Sequence, residues 1–177
     1  DYTGGGCPHI LAEPQRTNLI TYSEDYTNAI WIKSNAAITV TPNSITSPDG
    51  TLTADRVQYF ATNRFLRQNT SLTVGAICTG SVWVKGTAGQ TFSIAPGGID
   101  SPPFTLTGEW DRIAFTATAV TNFILFGPVG GSNATDVYVW GAQLEVGSYA
   151  TSYIPTVASS VTRNQDQFTR DGIGSLI

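Results

Sequence analysis

Apolar residues in this chain recur at alternate positions, in runs of four to eight residues rich in Val, Ile, Thr and aromatics and bounded by Gly, Pro, Asn or Asp. That is the period at which successive side chains of a β-strand point to opposite faces. Apart from one short turn-like stretch, no segment carries apolar residues at helical spacing for ten or more positions. The pattern predicts strands over Asn18–Ser23, Ile30–Lys33, Ile38–Thr41, Ala54–Tyr59, Phe65–Asn69, Ala76–Lys85, Thr91–Ala95, Phe104–Thr107, Trp110–Ala117, Phe123–Phe126 and Asp136–Glu145. Their number and spacing predict an all-β fold, an antiparallel β-sandwich forming a single domain.

Two strands show the alternation clearly. In Ser81-Val82-Trp83-Val84-Lys85 the valines face one way, and Ser81, Trp83 and Lys85 face the other. In Trp110 to Thr116, Ile113 and Phe115 belong to the core, with Trp110 and Arg112 on the opposite face. An indole standing among polar side chains makes these two strands the best candidates for a working face. Between the strands, Thr46-Ser47-Pro48-Asp49-Gly50 is a turn signal, Pro96 to Pro103 reads as a longer loop, and Gly127 to Asn133 as a glycine-rich turn. No internal repeat divides the chain.

Composition narrows the function classes. With 41% hydrophobic and only 12% charged residues, the 177-residue chain is a folded domain with a core of useful size. Its net charge of −4 and 9 scattered Lys and Arg provide no basic stripe, so nucleic acid is not an expected partner. No apolar run reaches the roughly 20 residues of a membrane-spanning helix, and membrane insertion is not expected. Cys7 and Cys78 have neither metal nor redox spacing; they read as free thiols, with one long-range disulfide as the alternative under oxidising conditions. Asp1 and the apolar Gly172–Ile177 tail suggest a piece of a longer polypeptide.

Longer strings carry a resemblance. Glu13-Pro14-Gln15-Arg16-Thr17-Asn18-Leu19 is followed by Tyr22-Ser23-Glu24-Asp25, Asn28-Ala29-Ile30-Trp31, Pro48-Asp49-Gly50 and Ala54-Asp55-Arg56-Val57. Then come Ser81 to Lys85, Trp110 to Arg112 and the closing Gly141-Ala142-Gln143-Leu144-Glu145. In this order they resemble a jelly-roll module of carbohydrate-binding type found in bacteriophage tail and head fibre proteins. The resemblance implies a jelly-roll sandwich over 18–156, a leader over 1–17 and an exit segment over 157–177 leading towards another domain. It also implies a virion or extracellular location, a glycan partner, other domains of the parent polypeptide as neighbours, and homo-oligomerisation in a fibre as one arrangement. Modules of this type often hold a structural calcium, for which Glu24 and Asp25 stand at a suitable early turn. The closing strand, however, offers Val139-Trp140-Gly141-Ala142 where calcium-binding relatives place aspartates, so no metal ligand and no cofactor is assigned.

Catalysis finds little support. The sole histidine, His9, has no adjacent nucleophile, and paired carboxylates for glycoside hydrolysis would have to come from 13 acids mostly isolated in turns. No residue is assigned a catalytic role. Sugar binding instead needs an aromatic platform for the apolar C–H face of a pyranose, with polar neighbours to fix its orientation. Trp83, Ser81 and Lys85 on one strand, with Arg112 and Gln58 from neighbours, form the candidate site. Trp31, Trp110 and Trp140 read as packing, while Trp83 is open to either role. The expectation is a non-catalytic, adhesin-type glycan-binding module. Its rivals are a structural docking module and an accessory module of a polysaccharide-degrading enzyme.

Overall fold

The computed structural model describes residues 12–34 and 38–167. Cys7, His9, the Gly4–Gly6 run and the Gly172–Ile177 tail lie outside them. The described residues form twelve strands: β1 Arg16–Asn18, β2 Ile32–Lys33, β3 Ile38–Ile45, β4 Ala54–Tyr59, β5 Leu66–Asn69, β6 Ile77–Gly86, β7 Thr91–Pro96, β8 Phe104–Thr105, β9 Asp111–Thr118, β10 Phe123–Gly127, β11 Asp136–Val146 and β12 Val161–Arg163. All pairings are antiparallel. One five-stranded sheet runs β2-β5-β10-β7-β8 and a second runs β3-β4-β11-β6-β9, while β1 and β12 form a two-stranded sheet of their own.

The core lies where the predicted alternation places it. Val82 and Val84 of β6, Val57 and Tyr59 of β4, and Val137 and Val139 of β11 are buried, as are Phe92 and Ile94 of β7 and Ile124 and Phe126 of β10. Ile113 is buried, and Phe115 packs against the cluster while remaining half-buried. Gly80 makes room in this core, since a Cβ there would come within 2.7 Å of Ile124 Cδ1. Cys78 is buried, its Sγ 3.6 Å from the Ala117 carbonyl oxygen.

Two departures from the predicted elements have local causes. The expected strand over Asn18–Ser23 stops at Asn18, because that side chain takes over the pairing that a continued strand would make. Its Nδ2 donates to the carbonyls of Ala142 and Ile154 at 3.1 and 2.9 Å, and its Oδ1 accepts from Ile20 N and Leu144 N, each at 3.1 Å. Tyr22 then adopts φ 50°, a left-handed conformation that ends any extended run. The second departure is β12, which pairs Val161–Arg163 with Arg16–Asn18 and so joins the stretches on either side of the domain.

Candidate functional site

The outer face of the second sheet is divided by a bulge. In β11, Trp140 pairs with Trp83 and Gln143 with Ser81, so three steps on one strand match two on the other. Gly141, at φ 65°, provides the left-handed residue of this irregularity. The extra residue reverses the strand's facing. Tyr138 and Trp140 point outward before it, whereas Gln143 and Glu145 point outward after it.

Beyond the bulge, the segment after β11 lies over the face as a strap. Arg112 Nη2 donates to the Thr151 carbonyl at 2.8 Å and to Ser81 Oγ at 3.1 Å. Glu145, fully buried, accepts from Thr151 N at 3.0 Å and from Thr151 Oγ1 at 2.5 Å. Gln143 accepts from Ile154 N at 2.7 Å. Glu13 clamps the strap from the other side, taking Ser152 N at 2.7 Å while pairing with Arg163 at 2.6 Å. Burial pushes the Arg112 guanidinium below its ordinary pKa, with the charges of Glu145 and Glu13 opposing that shift.

On the other side of the bulge the strap's Tyr153 still covers Trp140, with ring centroids 4.7 Å apart, and the face opens beyond it. Strand register places Lys85 beside Tyr138, Tyr138 beside Arg56, and Asp136 beside Gln58, with Trp83 one row away. Trp83, Lys85, Tyr138, Arg56, Gln58 and Asp136 are all partly exposed. Trp83 lies against the backbone of Gly141, where an added Cβ would stand 3.2 Å from Trp83 Cδ1. Arg56 grips Asp136 bidentately, at 2.9 Å from Nε and 2.5 Å from Nη2, and this hydrogen bonding holds the Asp136 carboxyl below its usual range. Gln58 Nε2 reaches the same carboxylate at 3.5 Å. Lys85 Nζ lies 3.0 Å from Glu109 Oε2, in a pair whose acid is 84% exposed. Such a surface pair contributes little, so Lys85 can exchange Glu109 for another acceptor at small cost. Lys85, Thr87, Asp136 and Tyr138 line a depression of about 290 Å³.

The five residues singled out from the sequence therefore fall into two groups. Trp83, Lys85 and Gln58 belong to the open strip. Ser81 and Arg112 face the same way but are engaged with the strap, and Ser81 is fully buried. Tyr138, Arg56 and Asp136 complete the strip and were missed. The alternation Asp136-Val137-Tyr138-Val139 carried that signal, since two buried valines place the residues between them outward. Two of the other tryptophans are packing residues: Trp31 is 2% and Trp140 5% exposed. Trp110 is half-buried and donates from Nε1 to the Thr46 carbonyl at 3.1 Å. Trp140 Nε1 donates to Thr53 Oγ1, also at 3.1 Å, so both indoles hold the 46–53 loop.

With this geometry in view, the solved structures that overlay the chain are informative about fold. The CBM22-1–GH10 modules of Clostridium thermocellum xylanase 10B, complexed with xylohexaose, overlay 81% of this chain at 15% identity and TM-score 0.54. A family 29 carbohydrate-binding module, CBM29-2 D114A, overlays 77% of it at 7% identity and TM-score 0.50. The sandwich is that of carbohydrate-binding modules. The overlaid region spans 30% of the xylanase chain and 96% of the CBM29-2 chain. No protein family's sequence profile matches the chain, and no curated protein is significantly similar to it.

At the early turn considered for calcium, Asp25 Oδ1 accepts from Thr27 N, Thr27 Oγ1 and Asn28 N at 3.0, 2.5 and 3.2 Å, and Glu24 Oε1 accepts from Tyr153 OH at 3.0 Å. Among the described residues, no three His, Cys, Asp or Glu side chains gather as a metal-binding group. No helix of the described residues is long and apolar enough to cross a membrane.

Proposed function

We propose that this domain is a non-catalytic glycan-binding module, carried on a phage virion fibre or a similar extracellular protein. The observation that carries the reading is the partly exposed Trp83 indole, at one end of a strip that offers hydrogen-bond donors and acceptors side by side. A pyranose stacked on Trp83 would bring its hydroxyls to Lys85, and further sugar residues along the strip would meet the Arg56–Asp136 pair and Gln58. The aromatic supplies contact area and the polar groups fix orientation. Ser81 and Arg112 act behind the strip, through the strap. The fibre setting is supported by the ordered strings from Glu13 to Glu145, and many copies on one fibre would raise a weak monovalent affinity by avidity.

The test is a screen of the purified chain against bacterial and algal polysaccharides and a glycan array, with Trp83→Ala alongside. We expect specific binding that falls at least about tenfold in Trp83→Ala, equivalent to about 1.4 kcal/mol. Unchanged affinity in a folded Trp83→Ala protein would remove the strip as the site. No binding to any glycan would favour a structural docking module of a virion or filament.

A further inference from the structure

We propose that the outer edge of β9 is a docking surface for a second copy of this chain, with the two β9 strands pairing antiparallel about a twofold axis at Phe115. The second sheet ends on this strand, which pairs with β6 in an unbroken register from Asp111 opposite Val84 to Thr118 opposite Ile77. A strand edge presents a row of unpaired N–H and C=O groups, and proteins usually blunt it. The other edges of the two five-stranded sheets are blunted. β2 and β8 are two residues long, and β3 is broken by a bulge between Thr41 and Ile45 that carries Pro42 and the left-handed Asn43, at φ 51°. β9 runs for eight residues with no Pro, Gly or Lys, and its charges, Asp111 and Arg112, stand at one end.

The bonds just past the strand determine which groups face outward. Ala119 N donates to the Ala76 carbonyl at 2.9 Å, and the Ala119 carbonyl accepts from Gly75 N at 2.8 Å, so Ala119 turns its backbone to the β6 side. Alternation along an antiparallel ladder then gives Ile113, Phe115 and Ala117 the bonds to β6. It points the N–H and C=O groups of Arg112, Ala114, Thr116 and Thr118 out of the sheet. These groups have no backbone partner among the described residues. The strap meets β9 through side chains, with Arg112 donating to the Thr151 carbonyl and Thr116 Oγ1 to the Ser148 carbonyl. Ala114, midway along the edge, is exposed.

A second β9 suits this edge better than an arbitrary strand. The outward-pointing residues are symmetric about Phe115, so an antiparallel copy bonds all of them, Arg112 with Thr118 and Ala114 with Thr116 in each direction. On the core side, Ile113 meets Ala117, large against small. The two Phe115 rings meet at the axis as a non-hydrogen-bonded pair, where side chains stand closest. Phe115 is only half-buried against the core of the single chain, and its twin would cover it. The two Arg112 residues end about 20 Å apart along the strands, beyond the screening distance at physiological salt.

Sedimentation equilibrium of the full chain should show monomer and dimer exchanging with a Kd of about 0.1 mM, as suits a small contact. Amide hydrogen exchange at Ala114, Thr116 and Thr118 should slow as concentration rises. Ala114→Pro removes a donor that β6 does not use, so it should abolish the dimer while keeping the monomer's melt and far-UV spectrum. Thr118→Lys sets a like charge opposite Arg112 of the second copy and should weaken the dimer about fivefold, whereas Thr118→Glu should strengthen it by a similar factor. Thr118 is exposed, so neither exchange disturbs the fold. A chain still monomeric at about 1 mM would overturn the proposal. So would a dimer whose slowed amides lie elsewhere, one that survives in a folded Ala114→Pro protein, or equal effects of Lys and Glu at position 118.

Discussion

Asn18 joins three parts of the molecule through one buried side chain, and its removal should be among the most damaging single changes. It is fully buried and makes four hydrogen bonds, at 2.9 to 3.1 Å, to Ile20, Ala142, Leu144 and Ile154. Asn18→Ala removes all four and leaves buried amides and carbonyls unpaired beside a cavity too small to solvate them well. A typical net hydrogen bond contributes about 1 kcal/mol, and each orphaned buried group costs about 1–3 kcal/mol. With partial relaxation, we expect a loss of about 4 kcal/mol. For a chain of this size, that lowers the thermal midpoint by about 8–16 °C. Urea unfolding should show the same loss as a lower midpoint with unchanged slope. A loss below about 1 kcal/mol would show that these bonds do not hold the strap and bulge together, and the account of both would fail.

Arg112→Met should cost about 2–3 kcal/mol, because Thr151 O and Ser81 Oγ lose their donor, with glycan affinity of the remaining folded protein unchanged. Lys85→Met should do the reverse, weakening glycan binding while changing stability by less than about 1 kcal/mol; parallel melts and binding isotherms distinguish the two. Burial raises the Asp55 carboxyl from 3.8 to about 6, above its unfolded value, so this group's stabilising contribution is fully present below about pH 4 and is lost as pH rises through 6. The stability of wild type relative to Asp55→Asn should therefore decline between pH 4 and pH 7, and a flat difference would refute the assignment.

The fold was legible because alternation is a local signal. Val82 and Val84 flank Trp83, so the side on which the indole stands could be read from five residues. What covers each part of that face could not be read. Ser81 and Trp83 stand on the same face in sequence, but the strap, from residues about 70 positions later, leaves Ser81 buried behind Arg112 and Trp83 partly exposed. The bulge at Gly141 was equally silent, since a Trp-Gly-Ala run does not announce a reversal of facing. Asn18 read as the first residue of a strand because its role depends on three carbonyl and amide groups more than 120 positions away.

The pairing of Arg16 with Arg163 and of Asn18 with Val161 also determines how the domain would behave under load. A pull applied through these two strands opens them one pair at a time, because they enter and leave side by side, and Glu13 with Asp166 would part before them. Force would not run through the sandwich at all until that short clasp had opened. In a longer polypeptide the domain would hang to one side of the main path, adding reach sideways and almost no length.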